Sequence, residues 1–159
     1  MRVRQSRALI ALGLVLLGAA LALLVGWGYG SFQLGGQLQR YRARWAARVP
    51  AAYRYTLRVG CFCPPEVTQP VEVTVRDAAV IALVGASSRQ PVRGAQLDEA
   101  APIEQLFVLI QRAIDQGADR VDVQYDPEFG YPRAIAIDYM RDASDDEVTY
   151  TIEKFEVTP

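Results

Sequence analysis

The stretch V-D-V-Q-Y-D-P-E-F-G-Y-P-R-A-I-A-I-D-Y, residues 121–139, leaves the chain little choice of local structure. Val121, Val123 and Tyr125 alternate with Asp122, Gln124 and Asp126, and Ile135, Ile137 and Tyr139 alternate with Ala134, Ala136 and Asp138. A period of two with one apolar face specifies a pair of β-strands. Between them Asp126 can accept turn hydrogen bonds, Pro127 presets φ, and Gly130 is free to take positive φ. The segment predicts a β-hairpin, whose chemistry shapes a fold and catalyses nothing.

Other segments fall into place around it. Leu38, Tyr41, Trp45 and Val49 form the apolar stripe of an amphipathic helix over residues 37–49, set off by Gly35-Gly36 and ended by Pro50. Its arginines, Arg40, Arg42, Arg44 and Arg48, read as a solvated face. Tyr53, Tyr55, Leu57 and Val59 then predict a strand that Cys61-Phe62-Cys63-Pro64-Pro65 breaks. Val71, Val73 and Val75 predict a second strand and residues 79–84 a third, after a turn at Arg76-Asp77. Residues 85–101 read as loop. Pro102 opens a second helix with Ile103, Leu106, Phe107, Ile110 and Ile114 inward and Gly117 as its stop. A last strand covers residues 148–157. Hairpin-length connections cannot make parallel pairs, so the expected class is α+β, an antiparallel sheet with two helices on one face. The repeated order helix, strand, strand, strand suggests a duplicated α-β-β-β unit, residues 45–84 answering 106–157.

At 51% hydrophobic residues the composition exceeds what this domain needs, and the first thirty residues supply the excess. Arg2, Arg4 and Arg7 precede an uncharged run, residues 8–25, followed by Trp27 and Tyr29, which suit a membrane interface. The run is long for a cleaved signal, no A-x-A site follows, and no cysteine follows to carry a lipid. We expect a cytoplasmic basic flank (1–7), a transmembrane anchor (8–29), a linker (30–36) and an extracytoplasmic domain (37–159). The protein would be single-pass in the cell membrane with its N-terminus in the cytoplasm.

Composition also closes off chemistry. There is no histidine, which removes the commonest general base and metal ligand, and Lys154 is the sole lysine, inside an apparent strand. A net charge of −1 without a long basic block argues against nucleic acid. Asp142, Ser144, Asp146 and Glu153 have EF-hand spacing, but Glu147 stands where glycine is required, so an acidic hairpin loop is the expectation and no metal is assigned. Asp126, Glu128 and Asp138 each have a turn or strand-end role, so no catalytic residue and no cofactor is assigned. Cys61 and Cys63 leave three readings open: a disulfide closed by a local bend, reduced thiols, or a redox or Cu(I)-binding pair. The disulfide is the first expectation.

Trp45, Tyr53-x-Tyr55, Cys61-x-Cys63, Leu106-Phe107 and the string Tyr125-Asp126-Pro127-x-x-Gly130-x-Pro132-x-x-Ile135-x-x-Asp138 together cover residues 45–157. In this the chain resembles a bacterial envelope family known only as a domain of unknown function. That family's members look like lipoproteins or membrane-anchored proteins, so the resemblance implies a location and a fold but no activity. This chain departs from them in having a span without a lipobox cysteine. The leading expectation is a non-enzymatic binding or structural module of the cell envelope, membrane-anchored, with an envelope protein or ligand as partner. The alternative is an envelope thiol-redox or Cu(I)-handling protein using Cys61 and Cys63.

Overall fold

The computed structural model describes residues 33–92, 102–141 and 146–159. The expected span and its basic flank lie outside them; among the described residues no helix is long and apolar enough to cross a membrane. Gln37–Pro159 form one compact unit. Its elements are helix α1 (residues 33–48), β1 (Ala52–Gly60), the one-turn α2 (Pro65–Thr68), β2 (Val71–Arg76), β3 (Ala79–Gly85), α3 (Ile103–Asp115), β4 (Arg120–Tyr125), β5 (Pro132–Asp138) and β6 (Val148–Val157). Gly35 and Gly36 are helical, and the compact unit begins just past them, at Gln37. A glycine inside a helix costs only about 1 kcal/mol, which continued backbone bonding can absorb. Val49, assigned to the buried stripe, lies past the helix end and is 39% exposed.

Six strands form one antiparallel sheet in the order β3-β2-β1-β6-β5-β4. The first and last strands meet at its centre, with Leu57 opposite Ile152 and Val59 opposite Tyr150. One face carries both long helices. Trp45 of α1 meets Tyr53 of β1 edge-on at 5.4 Å, and Phe107 of α3 lies nearly parallel to Tyr125 of β4 at 6.5 Å. Leu38, Tyr55, Leu57, Val73, Ile103, Leu106, Ile110 and Ile137 complete a core sealed from solvent. Each such side chain contributes roughly 1.5–3 kcal/mol of hydrophobic stabilisation.

The other face is open and polar. Cross-strand pairs Arg54–Glu156 (2.6 Å) and Arg58–Glu153 (3.4 Å) lie across β1 and β6. Exposed pairs of this kind are worth about 0–1 kcal/mol, so they keep the face soluble more than they hold it together.

Punctuation follows local chemistry. Gly117 (φ +70°) ends α3, donating its N–H to Ile114 O while Ala118 N–H reaches Ala113 O, the paired bonds of a Schellman motif. The β2–β3 turn sits one residue later than expected, on Asp77 (φ 49°) and Ala78 (φ 61°). Two left-handed residues in succession match the right-handed strand twist, which Arg76-Asp77 would not have supplied.

The halves repeat an order of elements without being copies related by rotation. Each half advances across the sheet in the same sense, yet the antiparallel β1–β6 pairing makes β4 run opposite to β1. A rotation that reverses strand direction and keeps that sense would carry the helix to the other face. Both helices share one face, so the expected α-β-β-β duplication is not a structural repeat. A hydrophobic pattern records the order of elements but not their hand.

Candidate functional site

The family-like string closes the hairpin and docks it on α1. Asp126 Oδ1 accepts the N–H groups of Glu128 (3.0 Å) and Phe129 (2.7 Å), and Asp126 O accepts Gly130 N–H at 3.0 Å. Gly130 has φ +90°, and a Cβ there would come within 2.9 Å of both Tyr41 O and Arg44 Cβ. The turn is thus pressed against the helix. Arg44 Nη1 donates to Pro127 O (2.8 Å) and Arg48 Nη1 to Glu128 O (2.6 Å). Half of the arginine face expected in solvent therefore serves to hold the turn. A carbonyl acceptor from a distant hairpin leaves no trace in helical periodicity.

Aromatic packing completes the latch. Tyr41 stacks on Tyr125 at 4.2 Å with 4° between planes, and Tyr131 stacks on Phe155 at 4.6 Å. Burial pushes the phenols of Tyr125 and Tyr131 up to about 12. Pro132 opens β5 opposite Tyr125. Asp138 sits at the other end of that strand, where its Oδ1 accepts Met140 N–H at 3.1 Å. The rest of β5, which opens at Pro132, separates it from the turn, on the order of 20 Å. Asp126 and Asp138 are not brought together.

The other sequence-predicted site lies at the opposite end of the sheet. Past Gly60, whose carbonyl accepts Thr149 Oγ1 at 3.3 Å, the chain bends and Cys61 and Cys63 are joined in a disulfide. Their Cα atoms are 5.2 Å apart, inside the range a disulfide bridges and shorter than a straight strand would give. Cys61 packs against the core and Cys63 is half-buried, while Phe62 between them is 86% exposed. Val67 N–H donates to Pro64 O at 2.9 Å, stiffening the exit into α2. The result is a braced knob with one aromatic tip.

A third grouping escaped the sequence reading. Trp45 Nε1 donates to Glu104 Oε1 at 2.8 Å, joining α1 to α3. Glu104 lies in the first turn of α3, where backbone N–H groups favour a carboxylate. The Tyr53 phenol is raised chiefly by burial and further by the charge and hydrogen bonding of Glu104, against a smaller lowering by the Ile103 backbone, and that of Tyr55 is raised chiefly by burial, then by Tyr53 and Glu104. A buried indole needs an acceptor, and that was the one signal available.

Two recesses can be described among the described residues. One, of about 350 Å³, runs along β3 beside Val80, Ile81, Leu83 and Pro91; the other, about 150 Å³, lies at the end of β5 beside Arg120, Asp138, Glu147 and Thr149. Among the described residues no three His, Cys, Asp or Glu side chains come together to hold a metal; residues 142–145 of the EF-hand-like spacing lie outside them.

No curated protein and no solved structure matches the chain. A family model does match, over residues 37–157, nearly the whole of the folded unit, and the chain accordingly belongs to that family of unknown function, DUF6174.

Proposed function

We propose that the protein is a non-enzymatic binding module of the cell envelope, held by its N-terminal span with the domain extracytoplasmic, and that the 61–63 loop is its contact element. The observation that carries this reading is Phe62, 86% exposed on a loop closed by the Cys61–Cys63 bridge. A pre-stiffened loop loses little conformational freedom on binding, and aromatic anchors dominate interface energetics. By contrast the most specific motif is occupied with turn geometry and helix docking. The anchored topology rests on the basic flank and the long apolar run of the sequence.

A photo-crosslinking residue at position 62 of the full chain, in intact cells, should give one discrete adduct with an envelope component. The same label at Arg133 should give none. Protease added outside should remove the domain and spare an N-terminal tag. Turnover of a glycan or peptide that Asp126→Asn abolishes would overturn the non-enzymatic reading, and a mature chain beginning after residue 28 would overturn the anchor.

The thiol-redox or Cu(I) alternative has its own support: both cysteines are only half-buried, and a bridge closing so short a loop contributes little to stability. The reduction potential separates the two. A value below about −300 mV marks a structural bridge, one above about −220 mV an exchanging pair.

A further inference from the structure

Gly60, Thr149 and Ala136 stand in one row across β1, β6 and β5, so the segments that follow Gly60 and Ala136 leave the sheet at the same end. Large apolar side chains collect there in solvent. Phe62, just past Gly60, is 86% exposed, and Tyr139 and Met140, just past β5, are 36% and 59% exposed. Two strand spacings, about 10 Å, separate the strands that carry them. Both points are held in place: Phe62 by the Cys61–Cys63 bridge, and Met140 by its N–H, which donates to Asp138 Oδ1 at 3.1 Å. Exposed apolar side chains gathered at one end mark an interaction surface, as single scattered ones do not.

What lies between the two points decides the partner. Ala136 and Thr149 of the shared row line the recess of about 150 Å³, together with Asp138, Glu147 and Arg120. Thr149 Oγ1 donates to Gly60 O at 3.3 Å, which ties the recess to the strand that leads to Phe62. Arg120 is paired with Asp122 at 2.6 Å, and among the described residues neither Asp138 nor Glu147 has a cationic partner. The recess is therefore negative. It is also well below the roughly 300–1,000 Å³ of a small-molecule pocket, a size that suits the head of one side chain. We propose that this end of the sheet is a docking surface for a partner polypeptide presenting a Lys or Arg beside an apolar side chain. The cation enters the recess that Asp138 and Glu147 line, and its apolar neighbour packs on Phe62 and Met140. This surface rests on the reading of Phe62 as the contact element and extends it two strands across the sheet. Complementary charge selects the partner, and the apolar anchors hold it. Two carboxylates without a counter-charge disfavour an anionic lipid surface.

Photo-crosslinking residues placed singly at positions 62 and 140 of the full chain, in intact cells, should give the same adduct. Mass spectrometry should show a partner peptide with a Lys or Arg close to the linked atom. With the label at 62, Glu147→Lys should cut the yield about tenfold or more, and Asp138→Asn, which keeps an oxygen for Met140 N–H, should lower it as well. Glu147→Asp should leave it unchanged. An adduct at 62 but not at 140, or one indifferent to both charge changes, would overturn the surface and leave Phe62 as the contact element. Adduct at neither position, or at 140 alone, would overturn both. An adduct with lipid, with a second copy of this chain, or with a segment lacking a nearby cation would overturn the partner assigned here.

Discussion

The two ends of the sheet treat a loop in opposite ways. At one end, residues 126–131 spend several polar groups on contacts within the fold: the Asp126 carboxylate on Glu128 and Phe129, and the Pro127 and Glu128 carbonyls on Arg44 and Arg48. At the other, residues 61–63 are held by a single covalent bridge, and Phe62 points into solvent. The first segment must meet many constraints at once, and its residue choices are correspondingly specific. The second meets one constraint and leaves its aromatic free. How recognisable a motif is reflects how many contacts it must satisfy within the fold, and it says little about where the molecule meets its surroundings.

Alkali should have the largest effect, and it should act through the buried phenols of the turn side and of β1 beneath α1, not through the 61–63 loop. Tyr125 and Tyr131 line the turn end, with phenols raised by burial from an ordinary value near 10 to about 12. Tyr53 and Tyr55 beneath α1 are raised further. A phenol raised in the folded state stabilises the fold in full below its unfolded value and loses that contribution as pH climbs through the folded value. The fold should therefore erode between about pH 10 and 12 and collapse beyond, with phenolate absorbance rising together with loss of circular dichroism. Phenolate at Tyr125 or Tyr131 near pH 10 with the fold intact, read as the absorbance that Tyr125→Phe or Tyr131→Phe removes, would contradict the buried, stacked turn. The 61–63 loop contains no tyrosine.

Next in size is Gly130→Ala. An L-residue in the left-handed region costs about 1–2 kcal/mol, and a Cβ 2.9 Å from Tyr41 O forces α1 and the turn apart. Together these should reduce stability by about 3 kcal/mol in urea titration. A loss below 1 kcal/mol would mean that the turn is not seated on α1.

Much of this architecture was legible beforehand because it is local. Alternation at Tyr53, Tyr55 and Leu57, the proline before Ile103 and the glycine at 117 fixed the strands and the second helix within a residue or two. The family resemblance read over residues 45–157 was likewise sound as to family. What escaped was relational. Arg44 and Arg48 looked like a solvated face because their acceptors lie more than seventy residues away, and Glu104 drew no notice because its partner is an indole on another helix. The opposed hand of the two halves was invisible for the same reason, since strand direction depends on which strands pair. As for the candidate site, the cysteine pair was legible as a bridge. Phe62 was not singled out, because exposure of one aromatic depends on the bend around it.

A smaller effect is expected at Asp126. Removing its carboxylate in Asp126→Ala deletes two acceptor bonds in the turn and should cost about 1–2 kcal/mol. Asp126→Asn keeps an oxygen in place and should cost under about 1 kcal/mol. Equal losses from both would mean that charge, and not turn geometry, is what this position supplies.

The smallest stability effects belong to the other end, where the comparison is most easily broken. The Cys61–Cys63 bridge spans a sequence separation of two, so opening it with paired Cys→Ser changes should cost under about 2 kcal/mol. Phe62→Ser removes a ring that touches almost nothing and should stay within about 0.5 kcal/mol of the parent. If Phe62 is the contact element, that same silent change should abolish the crosslinked adduct, whereas Gly130→Ala should weaken adduct formation only as far as it unfolds the domain. Equal loss of adduct per unit of lost stability in both variants would show that the two ends act alike, and the division between an inward latch and an outward knob would fail. Retention of the adduct in Phe62→Ser, with the fold intact, would move the contact away from the loop altogether.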